Sequence, residues 1–259
     1  MDLGIAGRKA IVCASSRGLG RACALALAQA GCEVVINGRD RAKLEATATE
    51  LRRSTGATVH AVEADVATAA GQQTLLAACP EPDILVNNNA GPPFRDFREL
   101  TRQQMIDGVI ANMVVAIELT QKVIDPMVGR KFGRIVNITS GSVKMPLAGL
   151  DLSSGARAGL TAFLAGVARS VAASNVTINF LLPGTFDTER LQSNIAANAR
   201  SKGITVEEAK AQRMATVPAR RFGHPDEFGA ACAFLCSVQA GYITGQNFLI
   251  DGGAFPGAM

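Results

Sequence analysis

The sequence carries its clearest chemical signal in a short loop, Cys13-Ala14-Ser15-Ser16-Arg17-Gly18-Leu19-Gly20. An apolar run ends at this loop, and a helical pattern of small apolar residues begins within it. Glycines let a backbone approach a ligand closely, and the free N–H groups at the start of a helix suit a pyrophosphate. We therefore predict a dinucleotide site here, although small residues at such a corner also serve close packing alone.

A second chemical signal lies at Gly38-Arg39, where the next apolar run ends. In dinucleotide folds this point faces the adenosine ribose, where a carboxylate pairs with the hydroxyls of NAD and an arginine accommodates the extra phosphate of NADP. The strand end offers no acid, and Arg17 could add a second guanidinium. These residues favour NADP(H) over NAD(H). The alternative is that Arg39 is an ordinary solvated turn residue.

Amide side chains mark two further places. The run Asn87-Asn88-Asn89 directly follows an apolar stretch, and open α/β sheets bind ligands at the carboxyl ends of their strands. Each of these amides could equally tie loops together. Asn112 stands among apolar residues of a predicted helix, so we expect it to be buried and hydrogen-bonded.

Apolar runs alternate with helical patterns along the whole chain. The predicted strands cover 10–13, 34–36, 58–66, 83–86, 133–139, 176–182 and 247–250, and the predicted helices cover 19–30, 40–54, a segment ending near 79, 101–125, a segment starting near 153, and 226–237. This alternation predicts a single α/β domain over 1–259, a doubly wound, Rossmann-like parallel sheet of about seven strands with helices on both faces. The polar stretch 185–217 is predicted to form a substrate lid.

Composition excludes several other classes of protein. The chain has 259 residues, 48% of them hydrophobic, but no apolar run reaches the roughly 18 residues of a membrane span. Its start lacks a secretory signal, so we expect a cytoplasmic protein. A net charge of +4 without a basic stripe, and 5% aromatics, argue against nucleic-acid binding. Six cysteines without a CxxC pair and two histidines predict reduced core thiols and no metal site.

The order of the motifs resembles the short-chain dehydrogenase/reductase family over nearly the whole chain. The matching segments are the corner at 13–20, Asp65-Val66, 88–91, Asn112, 133–140, Pro183-Gly184 with Thr188, and 243–253. Within the family the chain is most similar to the 3-oxoacyl-carrier-protein reductase-like group. Members of that group reduce ketones or oxidise secondary alcohols with NADP(H) or NAD(H).

The resemblance implies a role for each matched residue. It places the cofactor phosphates at Ser15, Ser16, Arg17 and Leu19, the adenine at Asp65 and Val66, a ribose at Asn88, Ala90 and Gly91, and the nicotinamide end at Pro183, Gly184 and Thr188. It places the catalytic positions at Asn112, Ser140, Ser153 and Arg157. It also implies a small carbonyl or thioester substrate and a homotetramer or homodimer.

Three positions depart from the family pattern. The family has glycine where this chain has Ala14, which is tolerable if the φ angle there is negative. One extra asparagine precedes 88–91, so either Asn87 or Asn88 occupies the ribose position. The family's catalytic tyrosine and lysine align with Ser153 and Arg157, and the only tyrosine of the chain is Tyr242.

The departures leave two hypotheses of different classes. In the first, the protein is an oxidoreductase in which Ser140 and Arg157 polarise the substrate oxygen, and a water held by Ser153 or Asp151 supplies the proton. In the second, it is an NADP(H)-binding module without redox turnover, such as a sensor or a partner subunit. A serine hydroxyl is far less acidic than a phenol, and an arginine stays protonated. The complete set of cofactor motifs favours the first hypothesis.

Overall fold

The computed structural model describes residues 2–257. Its centre is one sheet of seven strands in the order β3-β2-β1-β4-β5-β6-β7, and all neighbouring strands are parallel. The strands are β1 (Lys9–Val12), β2 (Glu33–Gly38), β3 (Val59–Glu63), β4 (Ile84–Asn87), β5 (Gly133–Ile138), β6 (Val176–Pro183) and β7 (Asn247–Ile250). The predicted doubly wound α/β fold is therefore confirmed.

Helices cover both faces of the sheet. They are α1 (Gly18–Gln29), α2 (Arg41–Thr55), α3 (Ala69–Ala78), α4 (Arg102–Val109), α5 (Val115–Gly129), α6 (Asp151–Val171), α7 (Glu189–Lys202), α8 (Val206–Ala215) and α9 (Pro225–Cys236). One apolar cluster lies between the sheet and α1, α2 and α9, and a second lies between the sheet and α3, α5 and α6. Alternate residues of each central strand enter opposite clusters, which explains why these strands are continuously apolar.

The strand order sets the position of the site. The chain moves from β1 outward to β3 and then crosses back to β4 on the other side of β1. The loops after β1 and β4 therefore diverge and leave a crevice at the carboxyl edge of the sheet, which is where open α/β sheets bind ligands.

Local signals gave several boundaries correctly. Asp40 caps α2 by accepting from the Lys43 amide, and Gly31 follows α1 with a positive φ of 83°. Thr101 and Gln104 make the predicted capping box at the start of α4. The six cysteines are buried and free.

Other boundaries differ from the prediction. β3 ends at Glu63 rather than 66, and α6 begins at Asp151 rather than near 153. The helix predicted over 101–125 is divided by a π-helical turn, Ile110–Val114, and continues past Pro126 to Gly129. Single π-helical turns inside α-helices are rare, so the hydrophobic periodicity predicted one continuous helix here.

The polar stretch predicted as a lid contains α7 and α8. The two helices share a small apolar cluster of their own, formed by Ile195, Ala199, Ala209 and Phe222. An edge-to-face contact between Phe186 and Phe228, with centroids 5.3 Å apart, joins the start of the stretch to α9. In residues 2–257, no helix combines the length and apolarity that a membrane crossing requires.

Candidate functional site

Hydrogen bonds of the Ser15 side chain hold the loop between β1 and α1 in place. This residue is fully buried. Its hydroxyl donates to the Val12 carbonyl (2.6 Å) and accepts from the backbone N–H of Asn37 (3.0 Å). The Thr47 hydroxyl of α2 donates to the Ser16 carbonyl at 2.8 Å. The side chain of Ser15 is thus committed to holding the loop in shape.

Ala14 corrects one sequence expectation. Tolerance of alanine was expected to rest on a negative φ, but the residue has a φ of +44°. This is the left-handed region, which costs a residue with a Cβ roughly 1–2 kcal/mol. The conformation is held because the Ala14 N–H donates to Asn37 Oδ1 (3.3 Å) and its carbonyl accepts from Asn88 Nδ2 (3.1 Å).

The three asparagines at the end of β4, Asn87, Asn88 and Asn89, have different hydrogen-bond partners. Asn87 lies within the sheet, where its Nδ2 donates to Asn137 Oδ1 at 2.9 Å. Asn88 instead faces the first loop through its bond to Ala14. Asn89 Nδ2 donates to the Ala111 carbonyl (3.1 Å) and its Oδ1 accepts from the Ala90 N–H (2.8 Å). The sequence left Asn87 and Asn88 as candidates for the ribose position. In the structure Asn88 contacts the loop after β1, whereas the side chain of Asn87 is buried against β5.

The corner fits a pyrophosphate. Helix α1 begins at Gly18 with no side-chain cap from Arg17 and no acid in its first turn, whereas Asp40 and Thr68 cap α2 and α3. The first N–H groups of α1 therefore lack the side-chain partner that those two helices have, and they carry the positive end of the helix dipole. A Cβ built at Gly18 would lie 3.9 Å from Thr188 Cγ2, so Thr188 lies beside this corner.

The end of β2 carries mixed charge. Arg39 is exposed and lies 3.7 Å from the Asp65 carboxylate, as measured from Nη1 to Oδ2. Ser16 packs against Gly38, since a Cβ at that glycine would lie 3.2 Å from Ser16 Oγ. Val66, which follows Asp65, is buried. A guanidinium and a hydroxyl therefore stand at the end of β2, and both can donate hydrogen bonds to a phosphate.

The far end of the crevice is formed by the ends of β5 and β6. Ser140 follows β5; its Oγ accepts from the Ser142 N–H (3.1 Å) and the Ser142 hydroxyl (2.9 Å). A Cβ at Gly141 would lie 3.3 Å from the Pro183 carbonyl, which places Ser140 beside the end of β6. A Cβ at Gly184 would lie 2.5 Å from Asp251 Cβ, so only glycine fits there.

Arg157 is the buried cation of the site. Its side chain is 8% exposed; Nη1 donates to the Ile138 carbonyl (2.8 Å) and Nε donates to Ser153 Oγ (3.3 Å). Burial, and secondarily the positive charge of Arg190, lower the pKa of Arg157 to about 10. The group therefore remains charged at neutral pH. Because Ser153 accepts from Arg157, its own O–H stays available as a donor.

Asn112 lies in the π-helical turn and is buried, as predicted. Its Nδ2 donates to the Gly108 carbonyl at 3.1 Å, but Oδ1 is buried without a hydrogen-bond partner. Asn112 lines a depression together with Asn88, Ile138, Arg157 and Leu160. The structure thus brings the predicted Asn112 and Arg157 together around one depression.

Sequence reasoning missed Arg190. A Cβ at Gly91 would lie 3.4 Å from Arg190 Nη1 and 3.5 Å from Arg157 Nη2, so two guanidinium groups converge on this glycine. Arg190 belongs to the polar stretch at the start of α7, and no local pattern distinguishes it from the other exposed arginines there. Tyr242 is fully exposed. Among residues 2–257, no group of His, Cys, Asp and Glu side chains has the arrangement of a metal site.

The family model and the relatives that match this sequence are named as reductases. Residues 13–254 match the family model described as Enoyl-(Acyl carrier protein) reductase. A 3-oxoacyl-(acyl-carrier-protein) reductase from Aquifex aeolicus is 30% identical over 262 residues, covering 98% of this chain and 100% of the relative. An NADPH-dependent reductase from Bacillus subtilis is 31% identical over 252 residues, covering 95% and 97%.

A solved structure shows the same fold. L-Sorbose reductase from Gluconobacter frateurii, crystallised with NADPH and L-sorbose, has a TM-score of 0.93 and 27% identity, with 98% of both chains covered. Sheet order, corner geometry and the match to the family model over nearly the full length agree. The chain belongs to the short-chain dehydrogenase/reductase family.

Proposed function

We propose that this protein is an NADP(H)-dependent oxidoreductase that transfers hydride between the nicotinamide and a ketone or secondary alcohol. Its substrates would be 3-oxoacyl-type or other small carbonyl compounds. Ser153 and Arg157 would stand where the family has tyrosine and lysine. The proposal depends above all on one observation: a buried, charged guanidinium beside the strand end that carries Ser140.

The preference for NADP(H) over NAD(H) is supported from two sides. Arg39 and Ser16 stand at the end of β2, and the corner residues Arg17 and Leu19 open α1 without a cap. The Bacillus subtilis relative is named as NADPH-dependent, and the sorbose reductase holds NADPH. The bound cofactor supplies the hydride and takes it back in the reverse direction.

The chain's own residues would manage charge and protons. Hydride addition to a carbonyl carbon moves the C=O electron pair onto oxygen, so a positive charge and a hydroxyl near that oxygen lower the barrier. Arg157 Nη2 and the Ser140 hydroxyl are suited to this task. The proton would come from a water held by the free O–H of Ser153 or by Asp151. Asn112, whose Oδ1 lacks a partner, is suited to accept a hydrogen bond from such a water.

The arrangement predicts slow turnover on ordinary ketones. A positioned general acid contributes about 10²- to 10⁴-fold to the rate, and arginine does not release protons as the family's tyrosine does. Hydride positioning does not depend on that acid. Carbonyls that are intrinsically reactive, such as diketones and quinones, should therefore react faster than ordinary ketones.

A direct experiment separates the enzyme from a cofactor-binding module. NADPH binding is titrated by fluorescence, and acetoacetyl thioesters, diketones and quinones are screened for loss of nicotinamide absorbance. The double variant Ser153→Tyr with Arg157→Lys should raise turnover by about 10²-fold or more if hydride transfer is intact. Binding without turnover on any carbonyl, in the parent and in the double variant, would establish the module instead.

Three further features belong to the same proposal. The stretch 185–217 would act as the lid over the substrate, within a single domain.

Exposed apolar side chains on and around α4 and α6 support a homotetramer or homodimer. They are Phe94, Phe97, Met105, Ile106, Val109, Ile110 and Phe163. Light scattering at micromolar concentration checks this; a monomer would contradict it. The cytoplasmic location remains a prediction.

A further inference from the structure

The convergence of Arg157 and Arg190 on Gly91 is more than the hydride-transfer proposal requires. One cation beside the carbonyl oxygen suffices for that chemistry. Here Arg190 Nη1 and Arg157 Nη2 lie 3.4 and 3.5 Å from the position of a Cβ at Gly91. The glycine leaves the space between the two groups free of any side chain of its own.

Neither guanidinium is neutralised by a carboxylate of residues 2–257. Arg157 donates to the Ile138 carbonyl and to Ser153, and Arg190 Nη2 donates weakly to the Pro92 carbonyl (3.5 Å). The acid next to Arg190, Glu189, is engaged by Arg17 at 3.1 Å. The positive charge of Arg190 also repels that of Arg157 and, together with the larger effect of burial, lowers the pKa of Arg157.

Two like charges at the edge of a buried space are relieved by an anion between them. Planar guanidinium groups bind carboxylates through paired N–H donors, which gives both energy and orientation. Arg157 is fixed by the carbonyl of β5 and by Ser153, whereas Arg190 is carried on α7, in the stretch that approaches the site from outside. Arg190 is therefore placed to contact a substrate group next to the one that faces Arg157.

We propose that Arg190 binds a carboxylate of the substrate while the neighbouring Arg157 faces the carbonyl oxygen, so that the preferred substrates are oxo acids with the carboxylate one or two carbons from the carbonyl. This inference depends on the proposed function and narrows its substrate class. The reaction is oxo acid plus NADPH plus a proton to hydroxy acid plus NADP⁺: a C–H bond forms at the carbonyl carbon, the C=O π pair moves to oxygen, and water protonates that oxygen. Arg190 is a specificity-determining residue here.

Kinetics with a matched substrate pair tests the assignment. Acetoacetate and ethyl acetoacetate present the same ketone with and without the charge. The parent protein should prefer the acid about tenfold or more in kcat/KM, and Arg190→Gln should lower kcat/KM for the acid about 10- to 100-fold and for the ester less than twofold, as expected for a charge-assisted hydrogen bond. Arg200→Gln, which removes an exposed charge from the same helix, should change neither. Arg190→Lys should restore part of the preference.

A calorimetric binding experiment tests the same assignment without requiring turnover. Butanoate and butanamide are titrated into the protein saturated with NADP⁺; butanoate should bind more tightly, and Arg190→Gln should remove the difference. Equal use of acid and ester, or equal binding of butanoate and butanamide, would overturn the assignment. So would a loss of NADP⁺ affinity in Arg190→Gln as large as the loss for butanoate, because Arg190 would then belong to the cofactor. Butanoate binding without turnover of any carbonyl supports the anion site and refutes the oxidoreductase.

Discussion

Gly20 offers the sharpest test of how the corner is built. It is the third residue of α1, and a Cβ there would lie 2.6 Å from the Ala14 carbonyl oxygen and 2.8 Å from Asn88 Nδ2. Both distances are far inside ordinary van der Waals contact. In Gly20→Ala the helix must therefore move away from the loop, and the hydrogen bond from Asn88 to Ala14, now 3.1 Å, must lengthen or break.

The magnitude can be worked out from these contacts. Overpacking of this kind costs about 1–3 kcal/mol, and loss of the hydrogen bond costs about 0.5–1.5 kcal/mol. The better helix propensity of alanine returns about 1 kcal/mol. The net loss of unfolding free energy is about 0.5–3.5 kcal/mol, which for a chain of this size lowers Tm by about 1–14 °C. NADPH affinity should fall as well, because the amides at the start of α1 move.

The assay compares Gly20→Ala with Gly166→Ala. Gly166 lies inside α6 and a Cβ there would meet nothing within 4 Å, so this control should gain up to about 1 kcal/mol from helix propensity alone. Thermal unfolding and fluorescence titration with NADPH are measured on both variants. If Gly20→Ala were as stable as Gly166→Ala and bound NADPH like the parent, the reasoning about the corner would be refuted.

Three further predictions rest on other contacts. Ala14→Gly should raise the unfolding free energy by about 0.5–1 kcal/mol, since relief of the left-handed φ exceeds the entropy cost of glycine; chemical denaturation at neutral pH checks it, and a less stable variant would contradict it. Arg39→Asp should weaken NADPH about tenfold or more and NADH little, as one charge-assisted bond to a phosphate requires; equal affinity of the parent for both coenzymes would sink the cofactor preference. The hydrogen bonds from Arg221 and from the His224 amide hold the pKa of Glu227 down at about 2, so the stabilisation is present above the ordinary carboxylate pKa and is lost as pH falls through about 2. Glu227→Gln should accordingly lower Tm by more at pH 7 than at about pH 3, and a constant difference across this range would exclude the ion pair as its cause.

Much of the site was visible in the sequence because its signals are local. A glycine-bearing loop between an apolar run and a helical pattern needs no tertiary information to indicate a phosphate corner. The arginine after the second strand and the capping box at Thr101 are equally local, and the structure has both at the expected places. The alternation of strands and helices then fixes which edge of the sheet carries the ends of these strands.

The features that sequence reasoning missed depend on contacts between distant segments. Asn87 and Asn88 are indistinguishable in sequence; pairing of β4 with β5 decides which side chain enters the sheet and which meets Ala14. Hydrogen bonds with Asn37 of β2 and with Asn88 after β4 hold Ala14 at its positive φ, against the preference of the residue itself. The π-helical turn around Asn112 is of a rare kind and lies inside a segment that the apolar pattern predicts as one continuous helix.

By itself, the sequence determined the order of strands and helices, the glycine-bearing corner after β1 and the arginine that follows β2, because each depends on residues close together in the chain. Only the tertiary structure decided that Arg190 meets Arg157 at Gly91. The three residues come from separate parts of the chain, and their convergence depends on the path of the polypeptide after β6. Charge repulsion and anion binding act through space, so no pattern in the sequence registers them.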